Sequence, residues 1–200
     1  RQLVARARER GLRFVGGHPM AGREASGFGA ADGSLFAARP WVVSPPDGRA
    51  DEAAVIAVER LARATGAVPI RLDPEVHDAA VAAISHLPLV VSAALVQAAI
   101  GQAGGLDDAT RTAASGLAAS GWRDMTRLAR GDETMGAGIA ATNADLLAGR
   151  IRALRDELDA WLAELERSGG PDPARLAARF AAARRLAGDK SGQGSDDGSA

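Results

Sequence analysis

The spacing of apolar residues along the chain changes close to residue 73. Before that point, short apolar runs alternate with segments of helical periodicity. The predicted helices cover residues 2–10 and 51–64, and the predicted strands cover residues 12–15, 41–43 and 68–72. Because strands that alternate with helices are typical of α/β domains, this part of the chain predicts an α/β segment with a largely parallel sheet.

From Asp73 onward the pattern is helical, with almost no strand signal up to Arg185. Pro74 suits the first turn of a helix, where a backbone N–H would have no helical partner. The apolar run Val81–Ile100 has polar flanks and contains a proline, which argues against a membrane span. The sequence therefore predicts an α/β domain over residues 1–72 and an all-α domain over residues 73–187.

One helix of the second domain carries a narrow apolar stripe, with alternating spacings of four and three residues. Such a stripe packs one helix against another, so it predicts a core contact or a seam between subunits. The stripe consists of Leu147, Ile151, Leu154, Leu158, Trp161 and Leu165. Gly169 and Gly170 end this helix, one more helix follows, and the Gly, Ser and Asp content of residues 188–200 predicts a disordered tail.

Composition narrows the functional classes. The 200 residues are 46% hydrophobic and carry a formal net charge of -1, which indicates one or two globular domains. Acidic and basic residues are interspersed, so no nucleic-acid or membrane partner is predicted. The chain has no Cys and no segment that resembles a signal peptide, and a cytoplasmic location is expected. Because Tyr is also absent, acid–base chemistry falls to His, Asp, Glu, Arg, Lys or hydroxyl groups.

His18 is the first candidate for chemistry. It follows a predicted strand and two glycines, and Pro19 favours extended backbone at His18. We therefore expect its imidazole to project from a loop at the carboxyl edge of the sheet, where α/β proteins bind ligands and a histidine can transfer protons. The alternative is a histidine that only hydrogen-bonds its own turn. Glu24 and Ser26 follow in the same loop, and they are expected to face either this pocket or solvent.

His86 lies in an apolar helix two residues before Pro88, and the proline predicts a kink or a loosened turn beside it. A polar residue beside such a break suggests a lined cavity, whereas the competing interpretation is an ordinary buried histidine. His77 comes nine residues earlier, which at about 100° per residue places it on the opposite face of a continuous helix. No spacing among the three histidines matches a local ligand pair, so no metal site is predicted.

Arg123 and Arg127 are four residues apart, on one face of a predicted helix that continues to Arg130. Each guanidinium group can bind a carboxylate through paired hydrogen bonds, which suits a small dianionic substrate. The competing interpretation is a solvated basic face that pairs with Asp124 and Asp132.

Four separated motifs occur in an order that resembles the prephenate dehydrogenase family. They are Gly-Gly-His-Pro-Met-Ala-Gly at 16–22, His77-Asp78, Ser85-His86-Leu87-Pro88 and Arg123-Asp124-x-Thr126-Arg127. The similarity extends from about residue 12 to residue 145. It implies the C-terminal part of a Rossmann-like dinucleotide-binding domain followed by a helical dimerisation domain, in agreement with the change of pattern near residue 73.

The family converts prephenate to 4-hydroxyphenylpyruvate in tyrosine biosynthesis, with hydride transfer to a nicotinamide and loss of carbon dioxide. The resemblance implies that His18 is the catalytic histidine, which accepts the proton of the ring hydroxyl. It implies that Arg127 holds a substrate carboxylate, that His86 lines the same site, and that Glu24 and Arg123 occupy second-tier pocket positions. It also implies a homodimer through the helical domain, with the apolar stripe buried in it.

The resemblance also sets expectations about residues outside the chain. The chain begins at Arg1 inside a predicted helix and without Met, so the family's glycine-rich dinucleotide motif and an assisting serine are expected upstream. NAD is the expected cofactor, with NADP as the alternative, no cofactor-binding residue is assigned, and the 200 residues alone are expected to be nearly inactive.

Two alternatives to a prephenate dehydrogenase stay open. Leu89 stands where many family members carry a second histidine, which makes an arogenate or dual-specificity dehydrogenase the alternative enzyme. The alternative outside the enzymes is a non-catalytic helical dimerisation module, in which the histidines and arginines are structural.

Overall fold

The computed structural model describes residues 1–22, 27–45, 52–101 and 104–188. Its three-stranded sheet consists of β1 (Gly16–Pro19), β2 (Pro40–Ser44) and β3 (Val68–Arg71), in that spatial order. β2 runs parallel to β3, with a helix between them in the chain, but antiparallel to β1. The prediction of a largely parallel sheet is therefore wrong for one of the two pairings. Parallel strands need a long crossover, usually a helix, and the described residues between β1 and β2 contain only a 3₁₀ helix, Phe28–Ala30.

β1 also differs from its predicted position. The sequence predicts a strand over residues 12–15 that ends before the glycines, whereas the observed strand begins at Gly16 and includes His18. Pairing with β2 decides the position, because Gly17 lies opposite Val43 and His18 opposite Val42. His18 is therefore carried by the strand itself and not by a loop beyond it.

The first two helices, α1 (Gln2–Glu9) and α2 (Glu52–Ala64), lie where the periodicity predicts them. Gly11 follows α1 with a φ of 63°, a left-handed conformation that glycine adopts at little cost. α2 packs on β2 and β3, and its Val55 is fully buried, as is Val43 of β2. These two valines belong to the core that supports β2, the neighbour of β1.

Every regular element that the structure describes after β3 is helical. The elements are α3 (Pro74–Val81), a π-helical turn (Ala82–His86), α4 (Leu87–Ile100), α5 (Asp108–Gly116), α6 (Ser120–Thr126), a 3₁₀ helix (Arg127–Arg130), α7 (Glu133–Thr142), α8 (Ala144–Leu165) and α9 (Pro173–Leu186). This arrangement confirms the predicted fold class, an α/β part followed by an all-α part.

Aspartate side chains begin four of these helices. Asp73, Asp107, Asp132 and Asp172 each accept hydrogen bonds from backbone amides in the first turn of α3, α5, α7 and α9. Such a cap satisfies amides that have no partner within the helix. The boundaries of these helices are therefore fixed by local sequence, which explains why they agree with the periodicity.

α3, the π-helical turn and α4 together form one helical segment, Pro74–Ile100. An 18-residue window of this segment has a mean hydropathy of 2.1, and 17% of that window is buried within the chain. By length and composition alone the segment could cross a membrane, despite the proline and the polar flanks. Core helices of soluble proteins satisfy the same criterion, so this is weak evidence for a span.

The chain forms two compact units, Arg1–Ile151 and Arg152–Ala200. In the second unit the rings of Trp161 and Phe180 have centroids 4.8 Å apart, and the guanidinium of Arg179 lies 5.0 Å from the Trp161 ring. The domain boundary near residue 73 stays a prediction. The predicted tail beyond Gly188 lies outside the described residues.

The apolar stripe is buried within this chain at only some of its six positions. Leu147 is buried, but Ile151, Leu158 and Leu165 are 40%, 57% and 53% exposed. The second interpretation, a seam between subunits, stays a prediction.

Candidate active site

A cavity of about 380 Å³ in the first unit brings all three histidines of the chain together. Its walls come from α1, β1, α3, the π-helical turn and the junction of α7 with α8. Its volume falls within the range of small-molecule pockets, roughly 300–1,000 Å³. The polar side chains in its lining include Arg6, His18, His77, Asp78, His86 and Asn143.

β1 holds His18 at the wall of this cavity. Its neighbour Gly17 lies against Trp41 of β2, because a Cβ atom at position 17 would be 3.0 Å from Nε1 of that tryptophan. Contacts this short are rarer than ordinary van der Waals packing, so glycine lets β1 lie close to the indole ring. Since β1 packs closely here, the backbone that carries His18 has a defined position.

A chain of side-chain contacts leads from His18 to α3. Nδ1 of His18 lies 2.8 Å from Nε2 of His77, with the two rings nearly perpendicular at 78°. Nδ1 of His77 lies 2.9 Å from Oδ1 of Asp78, and the side chains of His77 and Asp78 are 16% and 17% exposed. His77 and Asp78 form one of the four family motifs, but the sequence alone assigns neither of them to the site.

His86 lines the same cavity as His77, which corrects the prediction that the two lie on opposite faces. That prediction assumed a regular helix, whereas residues Ala82–His86 form a wide π-helical turn. A π-helical turn accommodates one extra residue without the corresponding rotation. The nine-residue separation of His77 and His86 therefore rotates the chain as about eight α-helical residues would, which leaves an angle of about 80° between them. Pro88, which cannot donate to the preceding turn, accounts for the loosening that the sequence predicts there.

Asn143 is a site residue that the sequence analysis missed. It lies between α7 and α8, is 4% exposed, and donates from Nδ2 to the backbone carbonyl of Asp78 over 2.9 Å. The same Nδ2 atom lies 3.3 Å from Nδ1 of His86. A polar residue at a helix junction is the only local signal, because the contacts span 65 and 57 positions of sequence.

The environment favours neutral imidazoles. Burial lowers the pKa of His18 below its usual 6.5, the nearby His77 and His86 lower it further, and Asp78 partly offsets them. Burial likewise lowers the pKa of His86, against the opposing effect of Asp78. At neutral pH both rings are therefore able to act as uncharged donors or acceptors.

The two predicted carboxylate ligands lie elsewhere. Arg123 and Arg127 are exposed, and neither lines the cavity. α6 ends at Thr126 and Arg127 begins the 3₁₀ helix, so the three arginines Arg123, Arg127 and Arg130 do not belong to one regular α-helix as predicted. Arg123 instead donates to the carbonyl of Ala118 over 3.3 Å.

The remaining predicted site residues, Glu24 and Ser26, lie outside the described residues. Arg6, which the sequence analysis did not single out, supplies a cation to the cavity wall from α1. Within the described ranges, no group of three or more His, Asp or Glu side chains is arranged to hold a metal ion. The cavity therefore offers proton-transfer groups and a cation to a small anionic molecule.

Two family models match the chain. Residues 1–71 match the model described as "Prephenate dehydrogenase, nucleotide-binding domain". Residues 73–180 match the model described as "Prephenate dehydrogenase, dimerization domain". Together they cover nearly all of the described chain, and they follow one another in the order of the α/β and all-α parts.

Individual relatives agree with the family models. The prephenate dehydrogenase of Bacillus subtilis (strain 168) is 33% identical over 154 residues, which cover 77% of this chain and 38% of that protein. The probable prephenate dehydrogenase NovF of Streptomyces niveus is 36% identical over 152 residues, or 76% of this chain and 40% of that protein. This chain thus spans about two-fifths of the length of these curated relatives.

A solved structure shows the same likeness in three dimensions. Synechocystis arogenate dehydrogenase matches 88% of this chain and 62% of its own, with a TM-score of 0.68 at 34% identity. Family models, curated relatives and fold all agree, and the chain belongs to the prephenate dehydrogenase family.

Proposed function

We propose that the intact protein containing this chain is a prephenate dehydrogenase, which oxidises prephenate to 4-hydroxyphenylpyruvate and passes a hydride to NAD in tyrosine biosynthesis. Membership of the family supports the reaction class. The observation that carries the proposal is the cavity in which His18 meets His77, Asp78 and His86. Its volume and its mixture of histidines and a cation suit a single-ring diacid.

His18 is the proposed catalytic residue. Its neutral imidazole accepts a hydrogen bond from the ring hydroxyl, and it takes the proton as the hydride leaves the same carbon with its electron pair. The bond between the ring and its carboxylate then breaks, the released electron pair makes the ring aromatic, and carbon dioxide leaves. The new phenolic oxygen takes a proton back, so the reaction consumes no net proton and His18 returns to its neutral form.

NAD, when bound, supplies the hydride acceptor, with NADP as the alternative. The match of residues 1–71 to a nucleotide-binding domain supports a dinucleotide. We assign no described residue to it, because the cavity has the size of a pocket for one small molecule. The role of this chain in the step is therefore to bind the acid and to hold its hydroxyl proton.

The proposed substrate contacts rest on the family motifs. His86 lines the cavity and offers a ring nitrogen to the substrate. Arg127 and Arg123 are the proposed carboxylate ligands, although their exposed guanidinium groups do not line the cavity of a single chain. Glu24 and Ser26 complete the proposed set.

We further propose a homodimer through the helical part, in a protein of the cytoplasm. The match to a dimerisation domain supports this assembly. The segment Pro74–Ile100 is little buried within the chain, and Leu158 is exposed. Such an assembly would cover these two surfaces. We propose neither a nucleic acid nor a membrane as a partner.

Replacement of His18 by Asn in the intact protein tests the function. Asn keeps a polar group of similar size but cannot take a proton, so kcat with prephenate and NAD should fall by about 10²- to 10⁴-fold. Binding of both ligands, measured by calorimetry, should change little. Turnover that is unaffected by His18→Asn would contradict the catalytic role of His18, and an unsubstituted protein that turns over neither prephenate nor arogenate would support the non-catalytic dimerisation module.

An arogenate dehydrogenase is the second candidate, favoured by the 34% identity to the Synechocystis arogenate enzyme. Arogenate carries an ammonium group where prephenate carries a keto group, so the two differ in charge at one end only. Comparison of kcat/KM for prephenate and arogenate in the intact protein separates the candidates, because the preferred substrate gives the higher value.

A further inference from the structure

We propose that Asp78 and Asn143 fix opposite tautomers in two histidines of the cavity, so that His18 presents a hydrogen-bond acceptor and His86 presents a donor. The proposal rests on the function proposed above and adds three positioning residues to it: His77, Asp78 and Asn143. None of the three is required to touch substrate.

The first half follows from the contacts between Asp78, His77 and His18. An ionised carboxylate only accepts hydrogen bonds, so the 2.9 Å contact requires a proton on Nδ1 of His77. In a neutral ring the other nitrogen, Nε2, then has a free lone pair and accepts. The 2.8 Å contact in turn requires a proton on Nδ1 of His18. Nε2 of His18 is left as the basic nitrogen, which is the form that a proton acceptor needs.

The second half follows from the amide of Asn143. Its Nδ2 atom donates one hydrogen to the backbone carbonyl of Asp78, which can only accept, and this fixes the orientation of the amide. The second hydrogen on the same nitrogen faces Nδ1 of His86 at 3.3 Å. Nδ1 of His86 is therefore an acceptor, and its proton lies on Nε2. His86 thus offers an N–H group suited to a carboxylate or carbonyl oxygen of the substrate.

Asp78 is the residue that connects the two halves, since its side chain orients His77 and its backbone carbonyl orients Asn143. The charged and titratable groups that line the cavity with His18 are His77 and Asp78 on α3, His86 on the π-helical turn, Arg6 on α1, and Arg1 just before α1. Of these groups, the carboxylate of Asp78 accepts the hydrogen bond from the ring of His77.

Nitrogen-15 NMR of the intact, unsubstituted protein tests the tautomers directly. The three histidines of this chain are assigned by replacing each in turn, and the shifts of the two ring nitrogens report which one carries the proton. We expect protonation at Nδ1 in His18 and His77, and at Nε2 in His86. A His18 protonated at Nε2, or a His86 protonated at Nδ1, would overturn the proposal.

This measurement does not depend on turnover, so its outcome is separable from that of the proposed function. If the unsubstituted protein fails to turn over prephenate while the NMR result is as expected, the function is wrong and the tautomers stand; if His18→Asn leaves activity intact, only the catalytic role of His18 is wrong. If His18→Asn abolishes activity but the tautomers differ, the function stands and the tautomers are wrong.

Substitutions on α3 give a second measurement. In Asp78→Asn the new amide can donate to Nδ1 of His77, which reverses both rings and protonates Nε2 of His18. We expect kcat to fall by about 10²-fold or more at nearly unchanged KM, with the tautomer of His18 reversed. Glu75→Gln removes a charge from an exposed position of the same helix and is the matched control, with activity and tautomers unchanged.

The conservative replacement separates a positioning role from a structural one. The carbonyl oxygen of Gln in His77→Gln can still accept from Nδ1 of His18, whereas Leu in His77→Leu cannot. We expect His77→Gln to retain the tautomer of His18 and at least about tenfold more kcat than His77→Leu. Equal losses of kcat in the two variants, with the nitrogen-15 shifts of the His18 ring unchanged, would overturn the proposal.

Discussion

The hydroxyl of Ser92 accepts a hydrogen bond from the backbone amide of Ala129 over 3.0 Å. Ser92 is 2% exposed on α4, and Ala129 belongs to the 3₁₀ helix that begins at Arg127. This bond connects residues 37 positions apart, in the region where α4 packs against that 3₁₀ helix. The position of Arg127 therefore depends on a buried hydroxyl in a different helix.

Ser92→Ala should destabilise the protein and weaken substrate binding. The amide of Ala129 would lose its acceptor, which costs about 1–3 kcal/mol of unfolding free energy when the group stays buried. Denaturant unfolding measures the loss, and KM should rise because the turn that carries Arg127 loosens. Ser115→Ala removes an exposed hydroxyl that bonds within its own helix, and it is the control. Equal stability of the two variants would contradict the structural role of Ser92.

Arg127→Lys should raise KM more than it lowers kcat. A lysine keeps the charge but cannot form the paired hydrogen bonds of a guanidinium with a carboxylate. The loss of one charge-assisted hydrogen bond, about 1.5–3 kcal/mol, corresponds to a rise in KM of roughly 10- to 100-fold. Steady-state kinetics with prephenate measure it, and Arg130→Lys on the same turn is the comparison. An unchanged KM would remove Arg127 from the proposed substrate contacts.

Gly17→Ala should impair turnover through the position of His18. The added methyl group would lie 3.0 Å from Nε1 of Trp41, so β1 or the indole ring has to move. Overpacking of this kind costs about 1–3 kcal/mol of stability, and a displaced base reduces kcat. Gly33→Ala is the matched control, since a Cβ at position 33 has no neighbour within 4 Å among the described residues. A Gly17→Ala protein as stable and active as Gly33→Ala would show that β1 tolerates the shift.

The acid limb of kcat/KM should have its midpoint below pH 6.5. His18 must be neutral to accept a proton, and burial together with His77 and His86 lowers its pKa. The base is therefore active above this lowered pKa and is lost as the pH falls through it. Asp78→Asn should move the limb to still lower pH, because the carboxylate of Asp78 raises the pKa of His18. A midpoint above 6.5 would show that a nearby negative charge outweighs burial.

Leu158→Glu should dissociate the proposed homodimer. Leu158 is 57% exposed in a single chain, and burial of a leucine contributes about 1.5–3 kcal/mol. In a symmetric dimer the change occurs twice, so the dissociation constant should rise by at least about a hundredfold. Sedimentation velocity measures the shift, with Asp159→Asn on the exposed neighbouring position as the control. Persistence of the dimer would place the seam away from α8.

The helical half of the fold could be predicted from the sequence because its signals are local. Asp73 with Pro74 begins α3, and Gly169 with Gly170 separates α8 from α9. The sheet was predicted less well, because the pairing of β1 with β2 joins His18 to Val42, 24 positions away. Apolar spacing reveals which residues prefer to be extended but not which partner they select.

The site shows the same limit. His18 and His86 stand in distinctive local motifs, and both line the cavity. Asn143 and Ser92 act through partners 57 and 37 positions away, so no local motif identifies either of them. His77 and His86 line one cavity because the helix changes type between them, and a prediction that assumes the same angle at every residue misses this change.

The π-helical turn Ala82–His86 sets the direction in which the side chains of α4 face relative to those of α3. If this turn became a regular α-helix with all five residues kept, α4 would rotate by about 100° about its axis relative to α3. Every side chain on α4, including Ser92, would then face a different neighbour with no change of sequence. Deletion of one of the five residues would instead remove the extra residue that the wide turn accommodates, and α4 would keep its present orientation.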